Sequence, residues 1–221
     1  MLLTETIRKT TSAIQRKRTA QENKQSVEAY VKALAQLDSA GKSLESTLSC
    51  AAAMKEKGIV QYPLITEQTR DELKECITDC GVGLQNGSLN TTTVKILKTK
   101  SDAVAEQIQL VWKDASVKYA DGPKGYLSMI GSLTDDPQRA KELADNISTM
   151  TSGPLSIDAL NGLVADVAEA KRITQAFSLN QEIEEFLKKV SLQQATIADL
   201  TPNILSWLQE KKLTGKLKVK F

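Results

Sequence analysis

The stretch VEAYVKALAQLDSAGKSLESTLSCA, residues 27–51, decides the fold class. Val27, Tyr30, Leu34, Leu37, Gly41, Leu44, Leu48 and Ala51 follow alternating steps of three and four. Residues spaced in this way return to one side of an α-helix, so the stretch reads as a coiled-coil seam with Gly41 as its weak place. Val94, Leu97, Ser101, Val104, Ile108, Val111 and Ala115 form a second seam. A third runs through Leu160, Val164 and Val167, then changes phase to Ile173 and Phe177. The spacing predicts long helices over 26–56, 92–119 and 157–177.

Upstream, Leu3, Ile7, Thr11 and Ile14 share a face that is out of phase with the seam beginning at Val27. Residues 15–25, QRKRTAQENKQ, contain Ala20 as their one apolar residue. They are either a solvated helical spacer or a break. Punctuation places the shorter elements. Thr66 caps a helix ending near Cys80, and Asp136 with Pro137 starts another. Ser178 with Gln181 reads as a capping box, and Thr201 with Pro202 starts the last helix. The glycine-rich segments 81–90 and 121–125 read as loops.

Two segments read as β. Ile59–Tyr62 is a short apolar run ahead of Pro63, and residues 216–221, KLKVKF, alternate lysine with Leu217, Val219 and Phe221. A strand must satisfy its backbone groups somewhere, so these two are expected to pair as a two-stranded ribbon. The expected fold is therefore mainly α: an elongated antiparallel helical bundle or coiled coil, with a ribbon joining 59–62 to 216–221. It is read as a single domain over 1–221. Within it, 1–25 forms a protruding basic helix, 26–177 the long-helix bundle, and 178–221 the C-terminal helices and terminal strand.

The composition narrows the function classes. The chain has no histidine, which removes the commonest general base and transition-metal ligand. Cys50, Cys76 and Cys80 are odd in number and lack a disulfide-framework spacing, which fits a reducing cytoplasmic setting. Cys76 and Cys80 share a helix face but make only half of a four-thiolate metal site. No run approaches a membrane span, and MLLTETIRKTTS is too polar for a secretory leader. The fragment AGKS, residues 40–43, ends like a phosphate-binding loop. That loop needs a glycine where Gln36 stands and a strand before it, so AGKS reads as helix interior.

These observations nominate no catalytic residue, no metal ligand, no cofactor and no small-molecule substrate. The expected function is a non-enzymatic helical scaffold or accessory subunit of a multiprotein complex. It would associate with a protein partner or with itself through its seams and C-terminal strand, and Leu217, Val219, Phe221 and Trp207 are the candidate contacts. The alternative is nucleic-acid binding through two basic patches. Arg8, Lys9, Arg16, Lys17 and Arg18 form the first, and Lys216, Lys218 and Lys220 the core of the second.

Overall fold

The computed structural model describes residues 2–217; for residues 2–11, 13, 20 and 23 it describes only the helical backbone. Seven α-helices account for most of these residues. They are α1 (Leu2–Glu56), α2 (Glu67–Gln85), α3 (Thr91–Ile130), α4 (Pro137–Ser152), α5 (Ile157–Ala176), α6 (Gln181–Ser191) and α7 (Pro202–Glu210). Single 3-10 turns lie at Gly131–Leu133 and Ile197–Asp199. The mainly helical bundle is as expected, and residues 15–25 continue α1 without a break. The chain divides into two compact units: Met1–Leu48 with Pro63–Gln107, and Ser49–Tyr62 with Ile108–Phe221.

The first unit combines the greater part of α1 with α2 and the first half of α3. On α1 the inward residues are Tyr30, Ala33, Leu37, Ala40, Leu44 and Thr47, with Ala33, Ala40 and Leu44 fully buried. Leu73, Cys76 and Cys80 are buried on α2, and Val94, Leu97, Ser101 and Val104 on α3. The second expected seam is thus interior at these positions, while farther along α3 Trp112 is buried and the expected Val111 is only partly covered. The first is right at every other position only. Tyr30, Leu37, Leu44 and Ala51 face inward, but between them the chain buries Ala33 and Ala40, not Leu34 and Gly41. Thr66 caps α2 by accepting from the Thr69 N–H at 3.1 Å, and Lys100 of α3 meets Glu72 of α2 at 2.7 Å.

In the second unit, α4 packs on α5 across the short connection 153–156, which makes the two helices antiparallel. Leu143 and Ile147 of α4 and Leu160, Leu163, Val167 and Ala170 of α5 are wholly buried. Leu163, not Val164, therefore completes the α5 stripe. On α3, Ile108 and Trp112 are interior, and Gln109 accepts the Leu155 N–H at 2.8 Å. A separate cluster gathers Ile130, Leu133, Ile183, Phe186, Leu187, Ile204, Trp207, Leu208 and Leu213 around α6 and α7.

Four expectations about local structure are corrected. Among the described residues the β-ribbon does not form. Gly58 takes φ +72°, and the N–H groups of Ile59 and Val60 both turn back to Met54 O, at 2.9 and 3.3 Å. They close the end of α1 and are not free to build a ladder. Lys216 sits in a turn, its N–H bonded to Leu213 O, and residues 218–221 lie outside the described residues. The supposed loop 121–125 is helical, with Pro123 inside α3, because Leu127 and Ile130 beyond it are buried and hold the next turns. The supposed loop 81–90 starts late, since α2 runs to Gln85. Gly83 permits this: a Cβ there would stand 3.1 Å from Leu89 Cα. Ser178 does not cap α6. It ends α5 in the left-handed region, φ 49°, and Asn180 caps α6 by accepting from the Ile183 N–H at 2.9 Å.

Because Ala40 is interior and Leu34 flanks the stripe at 37% exposure, their substitutions should separate in dilute solution. Ala40→Asp buries an unpaired carboxylate and is expected to cost about 3 kcal/mol or more. Leu34→Asp is expected to cost about 1 kcal/mol or less. Urea unfolding of both variants checks this, and equal losses would place Leu34 in the core.

Candidate interaction surface

Helix α1 presents surface that no other part of the described chain covers. Every residue from Ser12 to Ala29 whose side chain is described is exposed. From Tyr30 onward one side of the helix is buried, and the rest divides into two strips. A seven-residue step is nearly two helical turns, so residues separated by seven stay close to one line. Val27, Leu34, Gly41 and Leu48 form such a line, and Val31 stands beside it. Val27 and Val31 are 62% and 57% exposed, and Leu34 and Leu48 each 37%. Four charged residues alternate with this row: Lys17, Lys24, Asp38 and Glu45, all exposed. Lys24 lies 3.9 Å from Glu28, and Lys42 lies 2.7 Å from Asp38. The hydrogen bond from Lys42 to Asp38 raises the Lys42 pKa above its usual value.

The second strip is basic. Lys32 and Gln36 of α1 and Thr91, Thr92, Lys95 and Lys98 of α3 line a groove of about 360 Å³, floored by Val94. No acidic residue lines it, although Lys98 reaches Asp102 at 2.6 Å. Arg16, Lys17 and Arg18 are exposed farther along α1. The side chains of Arg8 and Lys9 lie outside the described ones.

In the C-terminal part, the expected contact residues lie inside the fold. Trp207 is buried in the α6–α7 cluster, its indole N–H donating to Phe177 O at 2.8 Å, and Leu217 packs against the same cluster. Lys216 donates to the carbonyl oxygens of Leu133 and Thr134 at 3.2 and 3.3 Å. Its ammonium group thus closes a chain turn. Lys218, Val219, Lys220 and Phe221 lie outside the described residues.

The larger cleft of the second unit, about 470 Å³, has an apolar floor including Leu133, Ile173 and Phe177. Its rim carries Arg172, Lys211 and the pair Arg139–Glu169. Arg139 grips Glu169 in bidentate fashion, at 3.1 and 2.6 Å, and the arginine holds the Glu169 carboxyl below its ordinary range. Asp136, also on the rim, accepts the Arg139 N–H at the start of α4. Glu169 is thus kept ionised and Asp136 is occupied as a cap, so neither is placed as a proton donor for a bound molecule. Burial raises the thiol pKa of Cys50 and of Cys80, and Cys76 and Asp79 add to the effect at Cys80. Among the described residues no three histidine, cysteine or acidic groups converge on a metal-sized point, and no helix is long and apolar enough to cross a membrane.

Sequence reasoning placed Val27, Leu34, Gly41 and Leu48 on one row, within a seam expected to pack inside the chain or against a partner. It missed Val31, and it missed Lys32, Lys95 and Lys98 as a set, because Lys32 and Lys95 are brought together only by folding. No family model, no characterised protein and no solved structure matches this chain.

Enclosed in the fold, Cys50, Cys76 and Cys80 are expected to react with a thiol reagent at neutral pH at least about a hundredfold more slowly than in urea. Stopped-flow labelling measures this, and fast labelling of the folded chain would show an accessible thiolate.

Proposed function

We propose that the chain is a non-enzymatic helical scaffold or accessory subunit that acts by pairing α1 with another helix in a coiled coil. The observation that carries the reading is the exposed row Val27, Val31, Leu34 and Leu48 on a helix whose opposite side is already packed. Single exposed aliphatic residues are ordinary, but a row at heptad spacing is the surface that knobs-into-holes packing requires. The buried thiols, the occupied Asp136 and the ionised Glu169 support a binding role over catalysis. A photo-crosslinking residue in place of Val31 tests the reading in cells that make the protein. A discrete product whose attachment site maps to a heptad-bearing helix is expected. A yield no greater than from the same group at Lys141, exposed on α4, would overturn it.

A second reading is binding to the phosphate backbone of nucleic acid, favoured by the acid-free groove of Lys32, Lys95 and Lys98. About three phosphate contacts, one for each lysine, would make affinity fall by roughly fortyfold between 50 and 200 mM salt. Fluorescence anisotropy with a duplex at both salt concentrations measures this. Affinity that is indifferent to salt would dismiss the reading.

A further inference from the structure

The charges along the exposed row of α1 are not distributed at random. Going along the helix they are Lys17 and Lys24, then the aliphatic centre Val27, Val31 and Leu34, then Asp38 and Glu45. Lys17, Lys24, Val31, Asp38 and Glu45 follow one another by sevens, and each is exposed. Val27, Leu34, Gly41 and Leu48 follow one another by sevens on the neighbouring line. Together the two lines are the two core columns of a heptad seam. One column is small or aliphatic throughout. The other is basic in its first half, aliphatic at its centre and acidic in its second half.

We propose that this surface pairs with the same surface of a second copy of the chain, and that the two α1 helices run antiparallel about a centre near Val31. The proposal rests on reading the row as a helix-pairing face, and it names the occupant. The argument is charge complementarity. In an antiparallel pair, Lys24 of one copy comes beside Asp38 of the other, and Lys17 beside Glu45. The twofold axis repeats both contacts, so the attraction is counted twice. In a parallel pair the same residues meet their own kind, lysine with lysine and acid with acid. Like charges at facing positions are destabilising, and this is the means by which coiled coils select partner and orientation. Val31 and Leu34 then meet at the centre, where the seam is apolar. Gly41 offers no side chain, which leaves room beside Lys24 for the lysine stem to lie along the seam.

The arrangement also limits the strength. Charged residues fill four of the five positions in one column, so only a short apolar centre is dehydrated. The association is therefore weak and orientation-specific, with a dissociation constant of the order of micromolar to tens of micromolar.

Sedimentation of the full chain over about 1 to 300 µM tests the proposal. A monomer–dimer equilibrium is expected for the parent chain. The double variant K17E/K24E makes the column acidic from end to end and should weaken the dimer roughly tenfold or more at low salt. D38K/E45K makes it basic and should do the same. The quadruple variant, which swaps both halves, should restore the parent constant, because antiparallel complementarity is regained. All four positions are exposed, so far-UV circular dichroism should be unchanged. Three results would overturn the proposal: a parent chain that is monomeric throughout, a dimer indifferent to both double variants, or a quadruple variant no better than the doubles. The second would mean parallel pairing or another interface. A monomeric chain that still gives the Val31 crosslink to a different protein's helix would sink the self-pairing and leave the scaffold reading intact.

Discussion

The buried face of α1 is narrow, and much else in the first unit follows from that. Ala33 and Ala40 occupy its inner edge, although a leucine, Leu34, stands one residue after Ala33. Alanine fills little volume, so the helices packed on α1 can approach closely, but each alanine removes little apolar surface from water. The larger interior residues must then come from elsewhere. They do: Leu73 on α2 and Val94, Leu97 and Val104 on α3 are all interior. A narrow stripe on a long helix also leaves most of its circumference to solvent. That is why the apolar residues Val27, Val31, Leu34 and Leu48 remain exposed although the helix is packed.

Helix ends account for the absence of strand among the described residues. The last carbonyl groups of a helix need donors, and the residues that supply them lose their N–H groups to that duty. At the end of α1 the donors are Gly58, Ile59 and Val60; at the end of α2 they are Gly87 and Ser88. Gln193 ends α6 and Lys212 ends α7 with φ 58° and 55°, without glycine. In each of these two cases the following residue donates back into the helix, Gln194 to Lys189 O and Leu213 to Leu208 O. Leu213 is also buried, so tertiary packing offsets the backbone cost at Lys212. The apolar character of Ile59 and Val60, which suggested a strand, comes from their burial beneath the end of α1.

The legible parts of the fold were those set by local chemistry. Asp136 with Pro137, Thr66 and Thr201 each start a helix, because a side-chain acceptor beside exposed amides acts within one turn. Although Trp112 and not its neighbour Val111 is interior, the stripe on α3 over Val94, Leu97, Ser101, Val104 and Ile108 was legible. The stripe on α1 was not, since Leu34 outweighs Ala33 in any hydrophobicity count and the choice between them depends on what packs opposite. Val164 displaced Leu163 on α5 for a related reason: both are aliphatic and adjacent, and periodicity cannot rank them. Pro123 misled in the other direction. A proline lowers the helix prospects of its own turn, but Leu127 and Ile130 farther on decide whether the helix resumes. For the candidate surface the row Val27, Leu34, Gly41 and Leu48 was legible, but its exposure, Val31 beside it and the groove lysines were not. A heptad row looks the same in sequence whether its partner lies in the same chain or in another.

One helix therefore carries three surfaces with different physical tasks. The alanine-edged side binds it into its own unit through area and close packing. The side carrying Lys32 meets Lys95 and Lys98 in a groove whose charge is of one sign, so anything it attracts is attracted at long range and released by salt. The third side mixes a short apolar centre with charges of opposite sign on either flank. Neither component would suffice alone there. Val27, Val31 and Leu34 give adhesion without orientation, since an aliphatic patch accepts any apolar face. Lys17, Lys24, Asp38 and Glu45 give orientation with little adhesion, since exposed ion pairs contribute only about 0 to 1 kcal/mol each. In the proposed pairing, the apolar centre would supply the contact and the flanking charges would decide which way round it is made.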